Sequence, residues 1–362
     1  MNSDSLQTQH CLYRMPSIDP RANKNMNSSS AEGSRFSVLD GWRGISILLV
    51  LACHLLPLGP KPWQFNAAAG VMGMAIFFTL SGFLITNFLL NNSSVVDFLI
   101  RRIFRVVPLA WLYMLIALPV MNSTPDFYIT NFLFVANWPP MWLGSVNGHL
   151  WSLCMEVQFY FAIALLVVLM RNKWVMLIPC LCIAVTMYRV MNDVHVAINT
   201  YYRIDEILSG CILALIYNNR LGNILAKLPT QTAITQIFLF LLFVLSCHPD
   251  AGFMNYFRPY LAAAMVGSTL LNSRTRVAVL LNNRILFYIA TISYALYVVH
   301  PMLIHTWLGS GDTVIKYLKR PLLFAAIFIT AHISTFYYEK WWIAFGKRFA
   351  KKVASQSVTS VG

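Results

Sequence analysis

The first long apolar run of the chain opens with Asp40-Gly-Trp-Arg43-Gly-Ile-Ser-Ile-Leu-Leu-Val-Leu-Ala-Cys-His54. Arg43 and His54 are eleven residues apart. A helix that turns about 100° per residue therefore holds them on one face, roughly 16 Å apart along its axis. Asp40 joins that face if the helix begins early. A histidine inside a membrane-length helix is costly, so it predicts a functional site; the alternative is a histidine that only bonds a neighbouring helix.

The composition is typical of a membrane protein. Of the 362 residues, 58% are hydrophobic and 11% are charged, and the mean hydropathy is +0.61. Soluble domains have about 45–50% apolar and about 25% charged residues. We therefore predict an all-α polytopic membrane protein with about ten transmembrane helices, whose N- and C-termini are both cytoplasmic.

The net charge of +14 does not indicate nucleic-acid binding, because the basic residues lie in short loops between apolar runs. The seven cysteines lack the spacing of zinc ligands, so we expect no metal site and no disulfide framework. The lipid bilayer is the partner that these features predict.

Three parts are distinguishable by composition. Residues 1–35 are polar and predict a flexible cytoplasmic tail, residues 36–342 hold the apolar runs, and residues 343–362 predict a basic cytoplasmic tail. The turn-rich segment 126–138 is too short to span the bilayer. The predicted spans are 44–58, 67–90, 103–121, 149–169, 174–190, 204–217, 232–247, 256–271, 285–307 and 321–338. This topology leaves 20 of the 27 Lys and Arg residues on the cytoplasmic side, as the positive-inside rule expects.

The polar residues of the spans fall in two layers. Arg101, Arg102 and Arg105 stand at the cytoplasmic entrance of the third span, where guanidinium groups suit phosphates; a plain topology anchor is the alternative. Nearer the outer side are His54, Glu156 and His300. On a helix, Ser152, Glu156 and Tyr160 share one stripe. His54 and Glu156 would form a natural pair of base and orienting carboxylate.

Seven motifs occur in a characteristic order. They are Asp40-Gly-Trp-Arg43-Gly with His54, Gly73-Met-Ala-Ile-Phe-Phe-Thr-Leu-Ser81-Gly82-Phe-Leu-Ile-Thr86, Arg101-Arg102-Ile-Phe-Arg105-Val-Val-Pro108, His149-Leu-Trp151-Ser152-Leu-Cys-Met-Glu156-Val-Gln158-Phe-Tyr160, Arg203-Ile-Asp205-Glu-Ile-Leu-Ser-Gly210, Ile292-Ser293-Tyr294-Ala-Leu-Tyr297-Val-Val-His300-Pro301 and Tyr337-Tyr-Glu339-Lys340. Over about residues 36–342 the chain closely resembles the membrane-bound acyltransferase 3 family, which O-acylates bacterial surface and secreted glycans. Two positions depart from the family pattern. Met74 replaces an acidic residue, and Val157 replaces a second Glu.

The resemblance implies an O-acyltransferase of the bacterial inner membrane. Its donor would be acyl-CoA, with acetyl the commonest acyl group, and its acceptor a glycan hydroxyl, with lipopolysaccharide O-antigen the first expectation. By resemblance His54 is the catalytic histidine, Arg43 its essential partner, and Glu156 a member of the active centre. The three arginines of the entrance would contact the CoA phosphates.

Acyl transfer to an alcohol needs a base, an oxyanion stabiliser and positioning. We expect His54 to act as the base, and His300 or Tyr294 to donate to the oxyanion. Ser81 and Ser152 are candidate substrate contacts or acyl acceptors. A transporter or exporter is the alternative function, since such proteins also bury His and Glu; it predicts an internal repeat, which the sequence does not display.

Overall fold

The computed structural model describes residues 36–92, 94–121, 123–222, 224 and 232–359. The described residues from Ser37 onward form one compact unit. The described residues contain no β-strand, apart from an isolated bridge between Arg220 and Gly222, so the all-α prediction is confirmed. The tail predicted at 1–35 lies outside the described residues.

The helices are numbered in chain order. Within the described ranges they are α1 (Ser37–Leu55), α2 (Phe65–Asn91), α3 (Val95–Val120), α4 (Pro125–Phe132), α5 (Trp151–Met170), α6 (Trp174–Met191), α7 (Thr200–Arg203), α8 (Asp205–Tyr217), α9 (Ala233–Cys247), α10 (Arg258–Leu271), α11 (Arg276–Leu281), α12 (Arg284–Ile304), α13 (Thr313–Leu318), α14 (Arg320–Ile333) and α15 (Lys340–Thr359). A π-helical segment, Ser334–Glu339, joins α14 to α15.

Six helical stretches of the described chain are long and apolar enough to cross a membrane, and α9 is a shorter apolar helix. Each of the ten apolar runs named above overlaps one of the helices. The eight-residue α4 agrees with the expectation that segment 126–138 does not span. The number of spans and the side on which the termini lie stay predictions. The six stretches are Ser37–Leu55, Lys61–Asn91, Val95–Val120, Gly148–Met191, Arg284–Ile304 and Arg320–Val353.

Helix α1 begins at Ser37, so Asp40 and Arg43 lie within it, ahead of the apolar run at 44–58. It packs against α2 and α12. Ser46 of α1 donates a hydrogen bond of 2.8 Å to the Gly73 carbonyl of α2. The opening motif is therefore carried on a helix enclosed by two other apolar helices.

Glycines let α2 and α8 approach closely. A Cβ atom on Gly82 would overlap the Ile207 carbonyl, and one on Gly210 would overlap the Thr79 carbonyl. Small residues at helix contacts bring backbones together in membrane proteins, where van der Waals packing contributes much of the association energy. The Ser81-Gly82 step thus holds the centre of α2 against α8.

Five buried charged side chains form an ion-pair cluster near the start of α8. Arg189 pairs with Asp205 at 2.6 Å, and Glu206 pairs with Arg258 at 2.7 Å and with Arg203 at 3.1 Å. These contacts join α6, α7, α8 and α10. The guanidinium of Arg203 also lies 4.7 Å from the ring of Trp151, at the start of α5.

The chain does not leave the helical bundle at residue 338. The helix continues through the π-helical segment into α15, which packs along α3. The physical reason is an aromatic contact, because Phe345 and Phe349 of α15 lie 5.3 and 6.1 Å from the ring of Phe104. The basic segment predicted at 343–362 is thus helical as far as Thr359.

The close contact of α2 with α8 predicts the effect of one added methyl group. Gly82→Ala should lower the melting temperature of the purified protein, since overpacking costs about 1–3 kcal/mol. Gly148→Ala is the matched control, because a Cβ there meets no atom within 4 Å. Thermal melting in detergent checks this. A Gly82→Ala protein that melts with or above the wild type would contradict the packing described here.

Candidate active site

A cavity of about 790 Å³ lies among α1, α2, α3, α5 and α12. Its lining brings together most of the site residues proposed from the sequence, although they come from five different helices. Those that line it are Arg43, Ser81, Arg102, Arg105, Ser152, Glu156 and Tyr294.

Glu156 is 6% exposed, and its carboxylate accepts a hydrogen bond of 2.6 Å from the Ser81 hydroxyl. Tyr160 interacts with both Glu156 and Arg102. The stripe expected on α5 is therefore present, since Ser152, Glu156 and Tyr160 all line the cavity. A buried carboxylate needs such partners, because its charge is costly in an apolar surrounding.

The arginines of α3 stand between two cavities. Arg102 and Arg105 line the main cavity and also a second one of about 560 Å³, to which Arg101 belongs. The Arg101 guanidinium bonds Asp97 at 2.8 Å. The Arg102 guanidinium lies 6.0 Å from the rings of Phe98 and Tyr160. Arg101 is thus the one of the three that the main cavity does not include.

His54 lies near the end of α1, next to the main cavity, and its side chain is exposed. Its Nδ1 is 2.9 Å from the Val50 carbonyl, and Val50 lines the cavity. A carbonyl only accepts, so in the neutral ring Nδ1 carries the proton and Nε2 keeps a lone pair. A lone pair at Nε2 is the form that a general base requires.

His300 packs against His54, with ring centroids 5.1 Å apart, and it is fully buried. Its Nδ1 faces the carbonyls of Leu296 and Tyr297, at 3.0 and 2.8 Å. Its Nε2 has no hydrogen-bond partner among the described residues. This leaves a second unprotonated nitrogen in the neutral tautomer, beside the ring of His54.

His149 is the third member of this group, with its ring centroid 5.5 Å from that of His300. Tyr297, which lines the main cavity, donates to the His149 carbonyl and lies 2.6 Å from the Ser152 hydroxyl. These contacts link the histidine group, defined as His54, His149 and His300, to the cavity. No group of three or more His, Cys, Asp or Glu residues in the described ranges is arranged to hold a metal ion.

The side chains of His54 and Glu156 bond different partners in the described chain. His54 bonds the Val50 carbonyl, and Glu156 bonds Ser81. The group that orients the imidazole here is therefore a carbonyl of its own helix. Tyr294 donates to the Val106 carbonyl at 2.5 Å, so it would have to exchange that partner to serve an oxyanion.

Three residues of the site were present in the motifs but were not singled out as site residues. Tyr160 and Tyr297 have a detectable signal, because each lies three or four residues along a helix from Glu156 or His300. His149 precedes the helix, in a 3₁₀ turn (Gly148–Leu150), so no helical spacing relates it to His300.

A family model described as an acyltransferase domain matches residues 36–340. One curated relative is the putative peptidoglycan O-acetyltransferase YrhL of Bacillus subtilis, 28% identical over 318 residues, with 72% of this chain and 47% of the relative covered. The peptidoglycan O-acetyltransferase OatA of Listeria monocytogenes is 28% identical over 350 residues, with coverages of 82% and 54%. The putative O-acetyltransferase SACOL0978 of Staphylococcus aureus is 27% identical over 310 residues, with coverages of 72% and 49%.

The chain spans about half the length of the curated relatives it matches. No solved structure matches it. The family model covers most of the chain and includes every motif quoted above. The resemblance is thereby confirmed, and the chain belongs to the acyltransferase 3 family.

Proposed function

We propose that this chain transfers an acetyl group from cytoplasmic acetyl-CoA to a hydroxyl of a cell-surface glycan, across the bacterial inner membrane. The observation that carries the proposal is the main cavity, whose lining combines Arg43, Arg102 and Glu156 next to the histidine group. Membership of an acyltransferase family supports acyl transfer over the transporter alternative.

The arginines receive the donor. Arg102 and Arg105 offer planar guanidinium groups that match phosphate oxygens, and Arg43 extends the same charge into the main cavity. Roughly 16 Å of helix separates Arg43 from His54. A donor bound by its phosphates at the arginines therefore extends its thioester arm along the cavity towards the histidines.

His54 acts as the general base. Its Nε2 takes the proton of the acceptor hydroxyl while the oxygen attacks the thioester carbonyl. The tetrahedral intermediate then expels the CoA thiolate, which takes up the proton. General-base assistance of this kind contributes about 10²- to 10⁴-fold in rate.

The neighbours of His54 stabilise the imidazolium that forms during transfer. The Val50 carbonyl holds Nδ1–H in both charge states. The Nε2 atom of His300 has no hydrogen-bond partner among the described residues. Its lone pair attracts the imidazolium of His54, because the two rings are 5.1 Å apart. The Glu156 carboxylate, oriented by Ser81, supplies a negative charge in the adjoining main cavity.

Tyr294 is the proposed oxyanion donor, once its hydroxyl leaves the Val106 carbonyl. His300 cannot donate in this tautomer, because its Nδ1–H is held by backbone carbonyls and its Nε2 carries no proton.

The acceptor belongs to the glycans of the cell surface. The names of two relatives favour peptidoglycan, whereas lipopolysaccharide O-antigen is the expectation from the sequence. Mass spectrometry of both glycans from cells with and without the gene distinguishes them. The proposal requires one of the two to lose the mass of an acetyl group when the gene is absent. No mass change in any surface glycan would contradict it.

The role of His54 predicts a specific loss. His54→Gln should lower the rate of acetyl transfer by about 10²-fold or more, because a neutral amide is no base at this position. The control is His305→Gln, since His305 is also exposed and its Nδ1 also bonds a carbonyl four residues earlier, that of Pro301, at 2.8 Å. Transfer is measured with labelled acetyl-CoA in membranes. Equal activity of the two variants would refute the base assignment.

The contribution of the Glu156 charge can be tested separately from that of its hydrogen bond with Ser81. Glu156→Gln keeps an acceptor for Ser81 but removes the negative charge, so kcat should fall about tenfold or more with little change in melting temperature. Ser81→Ala should instead lower stability by about 1–3 kcal/mol, because it leaves a buried carboxylate oxygen without its partner. Steady-state rates and melting curves of both variants check this. A Glu156→Gln protein with wild-type kcat would show that the charge is not needed.

A further inference from the structure

We infer that helix α15 completes the donor site: Lys347 binds the phosphates of the nucleotide half of CoA together with Arg101, Arg102 and Arg105. This inference rests on the proposed function, because it needs CoA to be the donor. It assigns a binding role to the C-terminal helix.

The second cavity has a distinctive lining. Four cationic side chains surround its volume of about 560 Å³, three from α3 and one, Lys347, from α15. Asp97 pairs with Arg101 and compensates one of the four charges. The cavity therefore keeps an excess of positive charge, which suits a ligand with several phosphate charges.

One partly exposed aromatic ring distinguishes this cavity from a plain anion site. Phe88 lines it and is backed by the buried Phe98, with ring centroids 6.1 Å apart. Aromatic faces stack with nucleobases, at about 1–3 kcal/mol per base. The 3′-phosphoadenosine diphosphate of CoA would need such a combination, with cations for its phosphates and the Phe88 ring for its base.

The second cavity adjoins the main one, because Arg102 and Arg105 line both. A ligand held by its nucleotide in the second cavity can therefore pass its pantetheine arm between these arginines. The acyl group then reaches the cavity that contains Glu156. The two cavities together match the two halves of the donor.

The position of Lys347 is set by how α15 packs. Gly346 allows close approach to α3, since a Cβ there would lie 2.6 Å from the Cβ of Phe104. Trp342 and Phe345 contact the same ring, at 6.1 and 5.3 Å between centroids. The residue after Gly346 is consequently directed to the arginines of α3 by a packed contact.

The test measures binding of CoA and of pantetheine, which lacks phosphates, to the full chain in phosphatidylcholine nanodiscs. Lys347→Gln should weaken CoA binding about three- to tenfold, the size expected for one exposed cation–phosphate contact, and leave pantetheine binding unchanged. Lys352→Gln is the matched control, because Lys352 lies five residues on, about 140° around the same helix. Gly346→Leu should weaken CoA binding as well, by displacing α15.

The outcomes separate the two proposals. Wild-type protein that fails to bind CoA would refute the proposed donor itself. Wild-type binding that Lys347→Gln leaves intact would overturn the inference alone, as would an equal loss for CoA and pantetheine, which indicates a structural role. If Lys347→Gln changes only the response to added phosphatidylglycerol, the cavity binds lipid headgroups and the inference is also wrong.

Discussion

A charge cannot lie in hydrocarbon without a partner or a polar cavity, and this constraint organises the protein. The charged side chains of the apolar helices meet each other in two places. Near the start of α8, three arginines and two carboxylates pair at 2.6–3.1 Å and join helices. In the main cavity, Arg102 and Glu156 line an open space, where a ligand can reach them. The first arrangement stabilises the bundle, and the second is available for chemistry.

Helix geometry fixes the distance between the two ends of the proposed site. Arg43 and His54 lie on one helix, so their separation is set by backbone geometry and not by side-chain flexibility. The glycine contacts of α2 with α8 hold Ser81 in place, and Ser81 in turn bonds Glu156. A rigid frame of this kind would keep the proposed base and the carboxylate in place for catalysis by proximity.

Much of the architecture is predictable from the sequence, because membrane helices are recognised by their length and their apolar composition. The helical class, the non-spanning segment at 126–138 and the stripe of Ser152, Glu156 and Tyr160 all follow from local periodicity. Seven of the proposed site residues line the main cavity, and their motifs lie within residues 36–340, which the family model matches. The roles of these residues stay predictions, and their selection depended on spacing within one helix or on the family pattern.

Contacts between helices were not accessible in the same way. No periodicity relates His149 to His300, or pairs Glu156 with Ser81 in place of His54, because these contacts depend on how separate helices dock. The packing of α15 against α3 is not predictable from the sequence for a similar reason. Its basic residues indicated a tail, but Gly346 and its neighbouring aromatic residues pack it onto α3.

The most direct test of the account uses sealed vesicles of known orientation that contain the protein. Labelled acetyl-CoA is supplied only at the cytoplasmic face, and the glycan acceptor is confined to the opposite face. The account predicts labelled acetyl groups on that acceptor and free CoA on the donor side, because the proposed path of the donor runs from the arginines through the main cavity to His54. Transfer that occurs only when donor and acceptor share one face would contradict it.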